Sequence, residues 1–170
     1  MSAGLDYYLG TDVVPEILEQ AKLTAEGREN FEFFVVDGPT IPAAEESIDL
    51  VCGFSLITHL LDEEVFELFQ DTARVLRKDG YGIFSFVDFS RHKGLFLAHA
   101  RNYKERHDVL KFFEPETLQF FAEETGFDVV EVIPNHQVIS RPENDDILLD
   151  GKPAPESIRF GHCLLVLKKR

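Results

Sequence analysis

Three side chains near the start of this sequence have types and positions suited to chemistry. Asp12 closes the apolar run Leu5–Leu9 through Gly10-Thr11, and Pro15 opens a helical pattern just beyond it. A carboxylate at the C-terminal end of a strand can accept hydrogen bonds from both hydroxyls of a ribose. An Asp in that place can equally cap the helix that follows. Asp37, followed by Gly38, ends the run Phe31–Val36, where the plain reading is an Asp-Gly turn. His59 carries an imidazole that is neutral near pH 7 and could take a proton from an oxygen or nitrogen nucleophile. It could also do no more than orient its loop. The remaining inventory is thin. The six His and two Cys show no tight zinc-type spacing, so no metal is expected. There is no Gly-x-Ser-x-Gly elbow and no Gly-Lys-Ser/Thr phosphate loop. The paired acids Glu45-Glu46 and Asp145-Asp146 lie in polar stretches and read as solvated.

These residues must be positioned by an alternation of strand and helix. Leu5–Leu9, Phe31–Val36, Ile48–Phe54, Tyr81–Phe89, Phe127–Ile133 and Phe160–Lys168 are short apolar runs rich in β-branched and aromatic residues and read as strands. After Asp62, the residues Val65, Phe66, Phe69, Ala73 and Leu76 recur at spacings of three and four, which places them on one helix face. Asp62 suits the N-cap of that helix and Gly80 a left-handed cap beyond its end. Pro115 starts a further helix with Leu118, Phe121 and Ala122 facing inward, and Gly126 stops it. The stretch Asn135–Arg159 is too long for a plain connection. Strands alternating with helices imply a mostly parallel sheet covered on both faces. The last two strands have no helical pattern between them, which allows an antiparallel hairpin at one edge.

A chain of 170 residues is most simply one domain, residues 1–170, and at that length about 70% of the unfolded surface is buried on folding. No stretch approaches the roughly 20 apolar residues of a membrane span, and the N-terminus lacks a signal-peptide pattern. Cys52 and Cys163 sit in apolar runs and read as buried free thiols, which suits a cytoplasmic protein. The formal charge of −14 makes nucleic acid a poor partner. The charge is uneven, however. Between Arg91 and Lys111 stand six Lys or Arg and three His against only Glu105 and Asp108, a local excess of +4. Such an island either favours an anionic ligand or is a solvated helix offsetting nearby acids.

The motifs fall in a recognisable order: Gly10-Thr11-Asp12-Val13-Val14-Pro15, then Asp37-Gly38, then Ser47-Ile48-Asp49-Leu50-Val51 leading to Phe54-Ser55-Leu56-Ile57-Thr58-His59-Leu60. Ala73-Arg74-Val75-Leu76-Arg77-Lys78-Asp79-Gly80-Tyr81 and Thr125-Gly126-Phe127 complete the set. This order resembles the class I S-adenosylmethionine-dependent methyltransferases, in particular the small-molecule type 11 and type 12 branch, from about residue 5 onward. The resemblance implies an α/β, Rossmann-like fold and methyl transfer from S-adenosylmethionine to a small-molecule acceptor. It implies that Asp12 and the adjacent Val13 hold the ribose, that Asp37 accepts from the adenine amino group with Gly38 beside the ring, and that Phe54 and Ser55 line the methionine portion. The bland alternatives are a core Phe54 and a turn-capping Ser55. His59 is the candidate catalytic base, and the basic island covers the acceptor pocket, favouring a carboxylate or phosphate. A homo-oligomer is compatible with this reading. The sequence departs from the family at its start: the first strand and its Gly-rich turn have no counterpart, and Gly80, Gly82 and Gly94 lie in the wrong place. That departure, which reads as an N-terminally truncated family domain, motivates a rival: a non-catalytic methyltransferase-like binding domain or an inactive fragment.

Overall fold

The computed structural model describes residues 6–106, 109–135 and 161–170, together with the backbone of 139–140, 148–149, 152–153 and 157–158. In chain order the elements are β1 (Tyr8–Asp12), α1 (Pro15–Thr24), β2 (Phe31–Val35), β3 (Ile48–Gly53), a 3-10 turn at Ile57–His59, α2 (Asp62–Val75), β4 (Leu76–Phe86), α3 (Lys93–Arg106), α4 (Pro115–Glu124), β5 (Phe127–Ile133), four two-residue strands β6 (Ile139–Ser140), β7 (Leu148–Leu149), β8 (Lys152–Pro153) and β9 (Ser157–Ile158), and β10 (Cys163–Lys169). They form two compact units, one drawn from residues 1–42 and 138–159, the other from 43–137 and 160–170.

In the first unit β1 and β2 pair in parallel, with Tyr8 opposite Phe31 and Asp12 opposite Val35. The Tyr8 ring stacks on Phe31 with centroids 4.7 Å apart. Gly10 is needed here, because a Cβ would lie 2.7 Å from the Phe33 ring. The strand expected over Leu5–Leu9 is observed over Tyr8–Asp12, Leu5 lying outside the described residues. Pairing with β2 sets that register and makes Asp12 the last residue of the strand. Helix α1 starts at Pro15, whose fixed φ suits a first helical residue, and buries only Leu18. The strands β6–β9 and β7–β8 form two antiparallel pairs.

In the second unit the sheet order is β3-β4-β10-β5. β3 and β4 are parallel, and β10 runs antiparallel to both of its neighbours. The expected antiparallel pair at one edge is therefore formed, with β5 outermost. Helices α2 and α4 pack on each other and on this sheet. Phe69 of α2 meets Phe84 of β4 and Phe127 of β5 at centroid separations of 5.0 and 6.5 Å. These three rings and Val65, Leu118, Ala122, Leu165 and Leu167 are wholly buried, each large apolar side chain contributing about 1.5–3 kcal/mol. The protein is thus a mixed α/β fold of the Rossmann-like kind, parallel in β1–β2 and β3–β4 and antiparallel where β10 enters and in the two short pairs.

Four local expectations are corrected. Leu61, not Asp62, is the N-cap of α2; its N–H donates to the Glu64 carboxylate at 2.7 Å, while Asp62 pairs with Lys111 at 2.8 Å. The strand expected over Tyr81–Phe89 runs instead over Leu76–Phe86. It begins where α2 ends because Leu76 is already extended. Gly80 is consequently inside a strand and caps nothing; the left-handed residue is Asp79, at φ 66°, tied to Lys168 at 2.8 Å. Cys52 is exposed on the sheet-edge strand β3, and only Cys163 is buried.

Gly80 is required for space. A Cβ there would stand 2.9 Å from the Arg77 carbonyl oxygen and 3.2 Å from that of Asp49, backbone atoms that cannot swing away. Gly80→Ala is expected to cost about 1–3 kcal/mol as overpacking, read in urea as a lowered midpoint with an unchanged slope.

Candidate functional site

In the first unit the two acids singled out by sequence come to the C-terminal ends of neighbouring parallel strands. Asp12 ends β1, and Asp37 lies two residues beyond β2. The chains are joined there, the Val36 N–H donating to the Asp12 carbonyl at 3.1 Å. Asp12 Oδ1 accepts from the Val14 N–H at 2.8 Å, so the capping role is real. The side chain makes no other hydrogen bond among the described residues, which leaves Oδ2 available. Val13 is exposed beside it. Asp37 is exposed. Gly38 has φ 99°, and beyond its chain neighbours no atom lies within 4 Å of where its Cβ would be. An open carboxylate at a strand end and an unobstructed glycine backbone fit the adenosine half of a nucleoside cofactor. Both backbone settings come from local sequence, since Gly38 alone tolerates the left-handed turn without strain.

In the second unit the loops beyond β3 and β4 are tied into one wall. Phe54 is exposed after β3. Ser55 takes a left-handed conformation, φ 55°, held from two sides. Its N–H donates to Ser85 Oγ at 2.7 Å, and its carbonyl accepts from the Thr58 hydroxyl at 3.0 Å. Thr58 and Ser85 are both buried. Non-glycine residues held at positive φ store strain, and such positions cluster at functional sites. The Lys111 N–H donates to the Thr58 carbonyl at 2.7 Å, and Phe89 and Phe113 are bonded through their backbones at 3.0 Å.

Three imidazoles meet on this wall. His59 Nδ1 lies 2.9 Å from the Val109 carbonyl, which can only accept, so Nδ1 carries the hydrogen and Nε2 the lone pair of the neutral ring. His92 is fixed the same way: Nδ1–H donates to the Asp88 carbonyl at 2.9 Å, and Nε2 accepts from the Asn135 amide at 3.0 Å. His162 Nδ1 lies 3.4 Å from Ser85 Oγ. Burial first, then repulsion from His92 and His59, hold the His162 imidazole below its ordinary pKa of 6.5. The wall is anchored by Asp88, a buried carboxylate that accepts from the Ser90 N–H and hydroxyl at 2.8 and 2.6 Å and from Arg91 Nε at 3.1 Å.

Of the site residues expected from sequence, the first unit thus joins Asp12, Val13, Asp37 and Gly38, and the second joins Phe54, Ser55 and His59. The sequence reading missed Ser85, Asp88, His92 and His162. Asp88-Phe89-Ser90 carries a detectable signal, an Asp whose oxygen meets the N–H two residues on. Nothing local marks Ser85 or His162, which are 77 residues apart. The basic island is thinner than its count. Arg91 pairs with Asp88 and Lys111 with Asp62. Lys93, Arg101 and Lys104 remain exposed, without an ion-pair partner among the described residues. No cluster of three or more metal-ligating side chains exists among the described residues.

Residues 1–84 match the family described as methyltransferase domain. The chain is similar to an S-adenosylmethionine-dependent methyltransferase structure from Methanosarcina mazei, at 14% identity over 96% of this chain and 82% of that one, with a TM-score of 0.67. It is likewise similar to an S-adenosylmethionine-dependent methyltransferase from Mesorhizobium loti, at 15% identity over 98% of this chain and 82% of that one, with a TM-score of 0.67. The fold is that of the class I S-adenosylmethionine-dependent methyltransferase structures, and the methyltransferase-domain match covers just under half of the chain. No curated protein matches the sequence. Among the described residues, no helix is long and apolar enough to cross a membrane.

The lowered His162 pKa has a consequence for stability. The unfolded chain takes up this proton first as pH falls below 6.5, so acidification weakens the fold until the folded-state pKa is passed. In His162→Gln the thermal midpoint should fall less than in the wild type between about pH 7.5 and about pH 5.5. Equal falls would show that His162 is not held neutral.

Proposed function

We propose that this chain transfers a methyl group from S-adenosylmethionine to a small, anionic acceptor. The observation that carries the reading is the pair of acids on β1 and β2. Asp12 keeps one carboxylate oxygen available at the end of β1, and the turn after β2 presents Asp37 beside the unobstructed Gly38. Asp12 would accept from the ribose hydroxyls, Val13 would cover the ring beside it, Asp37 would accept from the adenine amino group, and the Gly38 backbone would lie against the base. The second unit presents Phe54 and the pinned Ser55 turn, the residues that the family resemblance assigns to the methionine portion. When bound, the cofactor supplies a methyl group on a sulfonium, a good leaving group. The protein's task is then largely orientation, which can account for much of a rate enhancement. His59 Nε2 carries the lone pair of a neutral imidazole and can receive a proton at that atom. The exposed Lys93, Arg101 and Lys104 offer the acceptor's charge a partner on a chain otherwise strongly acidic.

A second reading, a non-catalytic binding domain, is favoured by one observation. The sole Gly-x-Gly of the sequence, Gly80-Tyr81-Gly82, lies inside β4 with both glycines buried, so it is not a loop that lets a ligand approach the backbone. Calorimetry with S-adenosylhomocysteine separates the two readings. Binding is expected, and Asp12→Ala should weaken it about 10–100-fold, the worth of hydrogen bonds to a charged group. No binding at millimolar ligand would favour the second reading. For the acceptor, the double reversal Arg101→Glu and Lys104→Glu should weaken binding of benzoate as an anionic probe, and more so at low salt. Unchanged affinity would sink the charge argument.

A further inference from the structure

We propose that His162 is a second catalytic residue, held by Ser85, and that it hydrogen-bonds the reacting hydroxyl of an aromatic acid acceptor. The proposal rests on the methyl-transfer reading and deepens it by naming the acceptor's chemistry. The placement of His162 is set by the sheet. β10 pairs with β4 so that Cys163 faces Phe86 and Leu164 faces Ser85, which puts His162 just past the C-terminal end of β4. Ligands of open α/β sheets bind at the carboxyl ends of the parallel strands. Ser85 Oγ accepts the Ser55 N–H at 2.7 Å and lies 3.4 Å from His162 Nδ1. With His162 Nδ1–H donating to Ser85 Oγ, one buried hydroxyl holds both the turn assigned to the methionine portion and the imidazole, and Nε2 keeps the lone pair. Ser85 is in this sense a positioning residue.

His162 is better suited to the task than its neighbours. His92 has both ring nitrogens engaged, by the Asp88 carbonyl and the Asn135 amide, so it cannot take a proton without losing a bond. His59 is exposed. His162 is half-buried and is kept neutral by burial and by the two other imidazoles, with the Asp88–Arg91 ion pair alongside at Cys163. The same wall carries Phe89, Phe96 and Phe112, in mutual edge contact at centroid separations of 5.1, 5.5 and 6.5 Å. The first two are joined to His92 through backbone hydrogen bonds, His92 N–H to the Phe89 carbonyl at 3.2 Å and Phe96 N–H to the His92 carbonyl at 2.9 Å. Phe96 is 38% exposed. Ring edges and faces suit a planar apolar body, neutral imidazole suits a hydroxyl, and the exposed Arg101 and Lys104 suit a carboxylate. In the transfer the hydroxyl oxygen forms the new bond to the methyl carbon while the carbon–sulfur bond breaks and its electron pair stays on sulfur. The O–H electron pair stays on oxygen, and the proton passes to the His162 imidazole.

The test is the binding of 4-hydroxybenzoate and of benzoate to the protein saturated with S-adenosylhomocysteine. The wild type should prefer 4-hydroxybenzoate by about tenfold, the worth of one hydrogen bond. The preference should vanish in His162→Phe and survive largely in His162→Gln, whose amide oxygen can accept near the Nε2 position. S-adenosylhomocysteine affinity should be unchanged in both His162 variants, which also reports that they are folded. A preference that survives in His162→Phe, or a wild type that binds neither benzoate, overturns the proposal while leaving the methyl-transfer reading in place. A wild type that fails to bind S-adenosylhomocysteine overturns both.

Discussion

The insertion of β10 between β4 and β5 is the constraint on which the larger unit depends. A strand that enters antiparallel satisfies the backbone donors and acceptors of both neighbours along its length. It also carries Leu164, Leu165 and Leu167 into the core. Without it β4 would lose one of its two partners and β5 its partner in the sheet, and the aromatic junction of Phe69, Phe84 and Phe127 would lose one wall. The pairing has a second effect that is chemical. It delivers a residue from the far end of the chain, His162, to the end of β4, where Ser85 and Asp88 organise the loops.

That loop cluster is built on a simple principle. Backbone carbonyls accept and never donate, so an imidazole nitrogen placed against one is obliged to carry its hydrogen. Val109 does this for His59 and Asp88 for His92. The protein thus sets tautomers with main-chain atoms and spends few side chains doing so. Asp88 itself, buried and saturated by Ser90 and Arg91, is structural. A buried carboxylate is costly unless its lone pairs are filled, and here they are filled from within four residues of sequence.

The smaller unit works by different means. Its two acids are placed by strand ends and by a left-handed glycine, all of which are local. Asp12 serves as a cap through one oxygen and presents the other, so capping and ligand binding are compatible roles for one carboxylate. The charge argument shrinks on inspection of the structure. An island of six cations contains two that are consumed by ion pairs, Arg91 with the buried Asp88 and Lys111 with the exposed Asp62. Lys93, Arg101 and Lys104, the exposed cations of the island among the described residues, still sit on a chain whose charge elsewhere is strongly negative, and that contrast is what can steer an anion.

Much of this was legible in the sequence, because the relevant physics is short-range. The alternation of apolar runs and amphipathic stretches determined the α/β class. Pro15 and Pro115 marked helix starts, Gly126 marked a helix stop at φ 96°, and Asp12 and Asp37 were placed by the strands they end. Where the reading erred, tertiary structure had overridden a local preference. Gly80 looked like a helix cap, but β4 begins directly after α2, and the glycine is there because two backbone carbonyls crowd it. Cys52 looked buried, but it lies on an edge strand, exposed. The meeting of Ser55, Ser85, His92, Asn135 and His162 has no local signature at all. It is decided by strand register across as many as 77 residues of chain, and register follows from which apolar faces find each other in the folded sheet rather than from any one segment's own preference.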